Sequence, residues 1–118
     1  MASHNIFGKE AEHLAENWLK GKDYQILHRN WRYSHYEIDI IALKKNVLHI
    51  VEVKARKSAA FGNPEDSVNR KKFKSLQKAT DEFLFQNPVY KLLQYDILSI
   101  ILHNNKEPEF FLIEDVYL

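Results

Sequence analysis

The stretch Tyr36–Lys54, Y-E-I-D-I-I-A-L-K-K-N-V-L-H-I-V-E-V-K, decides how the rest of the chain is read. Two β-rich apolar segments flank the polar pair Lys45-Asn46, the pattern of a hairpin. With the turn centred there, antiparallel partners sum to ninety-one in residue number. Ile41 then faces Ile50, Asp39 faces Glu52 and Glu37 faces Lys54. Side chains alternate along a strand, so Glu37, Asp39, Glu52 and Lys54 project from one face. Directly opposed like charges destabilise a sheet. Two carboxylates ~5 Å apart repel by roughly 3 kcal/mol at an effective dielectric of ~20. A bound cation, a shared proton or the nearby Lys54 ammonium would relieve that. Lys-Asn lacks the Asn-Gly preference of tight hairpins, and a two-residue slip would keep the four groups on one face with different partners.

Outward from the hairpin, Ile6–Lys20 carries Phe7, Ala11, Leu14, Ala15, Trp18 and Leu19 at helical spacing, with Gly21 as a stop and Glu10 and Glu12 on the two borders of the stripe. Taken alone, a bordering glutamate reads as a solvated helix residue. Tyr24–Arg32 reads as a strand with Tyr24, Ile26 and Leu27 inward, and Ser34-His35 as a break. After Lys54 an irregular segment, 55–62, reads as a surface loop. Asn63-Pro64-Glu65-Asp66 has the composition of a helix start, and the second helix reaches Phe85. Its inner face is Phe73, Leu76, Ala79, Thr80, Phe83 and Leu84, with Lys72 falling on the same stripe. Gln94–Leu102 is an apolar run of the kind covered on both faces, and Glu109–Ile113 a last strand antiparallel to it. The connection from Lys54 to Tyr95 is long enough for a right-handed parallel crossover. The expected fold is α/β (α+β), α-β-β-β-α-β-β, with a mixed central sheet flanked by helices in a single domain, 1–118.

The 118 residues suit one compact domain, and 45% hydrophobic with 28% charged residues is globular composition. Without cysteine there are no disulfides and no thiolate metal sites. No apolar run approaches a membrane span and the N-terminus lacks a signal-peptide core, so a cytoplasmic location is expected. A net charge of +1 excludes a global electrostatic case for a polyanion. Locally, Lys54, Arg56, Lys57, Arg70, Lys71, Lys72, Lys74 and Lys78 form a basic stretch, which reads either as a solvated face or as a nucleic-acid surface. The histidines show no metal-ligand spacing.

Hard divalent cations take oxygen ligands, and Mg²⁺ keeps several waters beside one or two carboxylates. Asp39 and Glu52, with the Val53 carbonyl, could supply such a set, and Lys54 could position a water or offset developing charge. That chemistry suits phosphodiester hydrolysis. Individually, the same residues also read as a backbone-satisfied acid and an ordinary Glu–Lys pair.

E-I-D followed by E-V-K resembles the PD-(D/E)XK nuclease signature, here Asp39, Glu52, Val53 and Lys54. With F-G-K-E-A-E, Y-Q-I-L-H-R-N-W-R, V-E-V-K-A-R and V-N-R-K-K-F, the chain resembles the YraN-type family of predicted endonucleases related to archaeal Holliday junction resolvases. The resemblance implies Mg²⁺ or Mn²⁺ on Asp39, Glu52 and Val53, Lys54 as catalytic lysine, and Glu10 and Glu37 as accessory acids. Lys72 matches a lysine the family places early in the second helix. The local basic stretch supplies Arg56, Lys57, Arg70, Lys71, Lys72 and Lys74 as candidates to hold DNA, branched DNA included, and a homodimer would suit a two-fold symmetric junction. The alternative is a non-catalytic nucleic-acid-binding module on the same scaffold. Two departures stand out. Tyr36 replaces a usual glycine and narrows access to the site. Gln94 replaces a usual arginine and removes a phosphate or carboxylate contact.

Overall fold

The computed structural model describes residues 2–57 and 69–117. The helix α1, Ala2–Gly21, leads into strands β1 (Gln25–Tyr33), β2 (Tyr36–Lys44) and β3 (Val47–Arg56); α2 (Arg70–Gln86) precedes β4 (Leu93–Ile101) and β5 (Glu109–Ile113). The strands form one sheet in chain order, antiparallel except between β3 and β4, which are parallel. The fold is therefore α+β with a five-stranded mixed sheet and two helices, in the order expected. The helix start expected at Asn63-Pro64 and the loop residues beyond Lys57 lie outside the described residues. Within them, α2 begins after Asn69, whose side-chain oxygen accepts the Lys72 amide at 2.9 Å. Replacing this cap by alanine should lower stability by about 1 kcal/mol, read as a shift in urea midpoint at unchanged m-value.

Each helix seals one side of the sheet. Ala15 and Leu19 of α1 pack with Ile40, Ala42, Val51, Leu98 and Ile100. Phe73, Leu76, Ala79 and Phe83 of α2 pack with Ile38, Ile41, Leu48 and Ile50. From Asp96 to Ile101 every residue of β4 is buried, as expected of a strand between two neighbours with a helix-covered layer on either side. The β2–β3 turn is Lys45-Asn46, both left-handed at φ 49 and 66. Two consecutive positive φ values define the type I′ hairpin turn, whose twist matches that of the strands. The register follows: Ile41 opposes Ile50 and Lys44 opposes Val47.

That register stops at Ile40–Val51. Beyond it β2 stays with β1 as far as Tyr33–Tyr36, while β3 stays with β4 as far as Arg56–Ile101. The sheet forks between β2 and β3, so Asp39 does not pair with Glu52 in a ladder, nor Glu37 with Lys54. The physical reason is visible at Val53, whose amide donates to Asp39 Oδ2 at 2.8 Å. A side-chain carboxylate occupies the donor that a regular ladder would give to a β2 carbonyl. The β1–β2 ladder also skips a pair here: Asn30, opposite Asp39, has φ 51 and is unpaired between Arg29–Ile40 and Trp31–Ile38. Ile38 and Ile40, two residues apart, consequently pack on opposite sides of the sheet. Regular alternation would have put them together.

Candidate active site at the fork

The fork opens into a cleft of about 320 Å³, bordered by His35, Tyr36, Glu37, Asp39, Glu52, Lys72, Ser75 and Leu76. Three elements supply its polar groups: β2 carries Glu37 and Asp39, β3 carries Glu52, and the first turn of α2 carries Lys72. Glu52 is nearly buried, and its Oε1 lies 3.4 Å from Lys54 Nζ and 3.4 Å from Lys72 Nζ. Lys72 sits on the apolar stripe of α2 because that stripe passes over the fork, where its ammonium meets an acid instead of the core.

The electrostatics are those of crowded charges partly removed from water. Asp39 is pushed up from 3.8 to about 7, first by burial and then by the Glu52 and Glu37 carboxylates, against the pull of the Val53 amide and Lys54. Lys54 is lowered, chiefly by burial and by Lys72 beside it, with Glu52 opposing. For Lys72 burial acts downward, but the contacts to Lys54 and Glu52 outweigh it and the group is raised. One ammonium of the pair thus holds its proton more tightly at the expense of the other.

The structure brings one further acid beside those named from the sequence. Carboxylate oxygens of Glu12, Glu37 and Asp39 lie within 4.8 Å of one another. Glu12 reaches the fork from α1 and is held by Asn30 Nδ2, which donates to its Oε2 at 2.9 Å. Glu10 is exposed on the same helix and is neither in this group nor on the cleft lining. Both glutamates border the apolar stripe, and helical spacing does not separate them. What selects Glu12 is a left-handed asparagine in the next element, which leaves no periodic signal. Glu37 also pairs with Arg32 at 3.0 Å.

The donor set suits a hard divalent ion. Three carboxylates within 4.8 Å of one another could close on a shared oxygen-ligated centre by small side-chain rotations. In a strand, the amide and carbonyl of one residue point the same way. The Val53 amide bonds to Asp39, so its carbonyl also faces the fork. Asp39 is common to the expected set with Glu52 and Val53 and to the set with Glu12 and Glu37. Of the basic residues named from the sequence, Arg70, Lys71 and Lys74 are exposed on the first turns of α2, Lys57 is exposed just after β3, and Arg56 is half-buried beside it. Gln94 lies elsewhere. It donates to Asp96 Oδ1 at 2.8 Å, so the carboxylate contact thought lost with the arginine is made by the glutamine.

A five-stranded mixed sheet between two helices, with acids and lysines gathered where the sheet divides, is compatible with a nuclease-like core. The chain belongs to the uncharacterised protein family UPF0102, which it matches over residues 11–100. It is 44% identical over 101 residues to a UPF0102 protein of Phocaeicola vulgatus, covering 86% of this chain and 84% of that one. It is 44% identical over 100 residues to one of Flavobacterium psychrophilum, covering 85% and 84%. A relative from Chloroherpeton thalassium is 38% identical over 125 residues, 99% of this chain and 97% of that one. The resemblance to the YraN-type family is thereby confirmed. Among the described residues, no helix is long and apolar enough to cross a membrane.

Proposed function

We propose that the protein is a divalent-metal-dependent endonuclease acting on DNA. The observation that carries this reading is the fork itself: it draws Asp39, Glu37 and Glu52 to one open cleft with Lys72, while Lys54 contacts Glu52 from the same strand. Asp39, the Val53 carbonyl and the neighbouring acids would hold Mg²⁺ or Mn²⁺, which when bound polarises a phosphate oxygen and lowers the pKa of a coordinated water. Lys54 is placed to orient the attacking water and to offset the charge that grows on the phosphate. Lys72 fixes Glu52 against Lys54 and adds a second positive charge at the cleft.

The start of α2 supports a polyanionic substrate. Four of its first five residues, Arg70, Lys71, Lys72 and Lys74, are basic, and its first turn holds no acid. A helix N-terminus carries a partial positive charge and favours acids, so cations there work against helix stability. Their placement makes sense if phosphates face that end, where dipole and side chains act together.

Purified protein should cut labelled DNA only with Mg²⁺ or Mn²⁺ present, in a panel of linear duplex, single strands and four-way junctions. Failure to cut any of them would leave the binding-module reading in place if the protein still binds DNA, and neither reading if it does not. Lys54→Ala should lower the cleavage rate by about 100- to 1000-fold with an unchanged melting curve, the effect of removing one donor aimed at developing charge.

A further inference from the structure

The tip of the β1–β2 hairpin presents two aromatic rings to the cleft that metal and phosphate chemistry leave unused. Tyr33 pairs with Tyr36 across a Ser34-His35 turn in which Ser34 has φ 57. The His35 and Tyr36 ring centroids are 4.1 Å apart with planes inclined by 39°. Ser34 Oγ lies 3.3 Å from His35 Nδ1, which restrains the imidazole, and Lys78 Nζ lies 5.7 Å from the centre of the Tyr36 ring. Tyr36 rests partly on the apolar cluster under α2, so core packing accounts for some of its burial. It does not account for His35, which is exposed and rests its ring at a tilt against the tyrosine outside the core. Both rings border the cleft that holds Glu37, Asp39, Glu52 and Lys72.

We infer that the His35–Tyr36 pair is a stacking platform for an unpaired nucleotide base, so that the preferred substrate presents a single-stranded or unpaired position beside the cleavage site. This rests on the nuclease reading above and adds the substrate class to it. The cleft offers the two things a nucleotide needs in adjacent places: the Lys72 ammonium for the phosphate, beside acids that would hold a cation, and a ring face for the base. A base inside a duplex is stacked on both sides and has no face to give. An unpaired base has one, and stacking on an aromatic ring is tolerant of base identity. Tyr36 supports the imidazole from behind and Lys78 holds the tyrosine against α2. In this chain the aromatic ring at Tyr36 lines the cleft instead of closing it.

The test is equilibrium binding of the full chain in EDTA, where no strand is cut, to a labelled oligothymidine and to a duplex of equal length. His35→Ala and Tyr36→Ala should each weaken single-strand binding by about 5- to 100-fold and leave duplex binding within about twofold. His35→Phe and Tyr36→Phe should retain it, which separates ring stacking from the imidazole's charge and the phenol's hydroxyl. The dependence of single-strand affinity on salt should keep its slope in the ring variants, whereas Lys74→Ala should lower the slope by about 0.7. His35 is exposed, so its variants report on binding even if Tyr36→Ala folds poorly. Wild-type protein that binds DNA, with alanine at His35 leaving single-strand affinity unchanged, overturns the platform alone. Wild-type protein that binds neither strand form at low salt overturns the nuclease reading as well.

Discussion

Asp39→Asn should abolish metal-dependent cleavage, by at least about 1000-fold, and at the same time make the metal-free protein more stable at pH 8. The two effects have one cause. Asp39 is held near a pKa of about 7, from an ordinary value of 3.8, by burial and by the Glu52 and Glu37 carboxylates. The folded state therefore binds the Asp39 proton more tightly than the unfolded chain. Below the unfolded value both states are protonated and the group costs nothing. As pH rises from about 4 to about 7 the unfolded chain gives up its proton while the folded one retains it, and stability falls. Above the folded pKa the loss is complete, about 4 kcal/mol for a shift of this size. Asparagine keeps an oxygen for the Val53 amide and carries no charge, so it removes that cost. Urea titrations in EDTA should show the variant ahead of wild type at pH 8 and level with it near pH 4. Mn²⁺ should raise the wild-type midpoint at pH 8 and leave the variant's where it was. Equal metal-free stability of the two proteins at pH 8 would contradict this account of the buried carboxylate.

Asp96→Ala should be the more damaging change for the fold, lowering stability by about 3–5 kcal/mol and the melting temperature by about 10–25 °C. Asp96 is 1% exposed. Its Oδ2 lies 2.7 Å from Nδ1 of buried His49, and its Oδ1 accepts from Gln94 Nε2 at 2.8 Å and from the Asp115 amide at 3.1 Å. The carboxylate thus joins β3, β4 and the segment after β5, and the Val116 amide, donating to the Tyr95 carbonyl at 2.7 Å, fastens the same segment alongside. Alanine leaves the buried His49 imidazole without its partner and the Gln94 and Asp115 donors without this acceptor, and an unpaired buried polar group costs more than the bond itself contributes. Amide exchange should show residues 114–117 opening first. A double-mutant cycle with His49→Ala measures the pair's coupling, and additive effects would mean that the two side chains do not act together. Cleavage per folded molecule should be unaffected, since His49 and Asp96 lie outside the cleft.

Gln94 shows how a residue's part can be misjudged from a pattern. Its substitution for arginine suggests a lost phosphate or carboxylate contact, yet its amide reaches the Asp96 carboxylate within its own strand. The i, i+2 spacing allows that contact because both side chains leave the strand on the same face. Tyr36 is the opposite case. Packing against α2 is legible from its apolar ring, but the cleft it borders exists only because β2 parts from β3.

By itself the sequence determined the order of elements, the hairpin at Lys45-Asn46 and its register as far as Ile40–Val51, the apolar stripes of both helices, and the bounds of β5 at Glu109–Ile113. These depend on periodicity and turn chemistry within a few residues, which a chain displays locally. Only the tertiary structure decided where the ladder ends, since that turns on competition for the Val53 amide between a β2 carbonyl and the Asp39 carboxylate. It also brought Glu12 beside Glu37 and Asp39, through the Asn30 amide and the packing of α1 across the sheet. The same four charged residues of the hairpin are present in both readings. The fork, where β2 follows β1 and β3 follows β4, is what turns three of them from a row on one face into the wall of a cleft, with Lys54 behind Glu52.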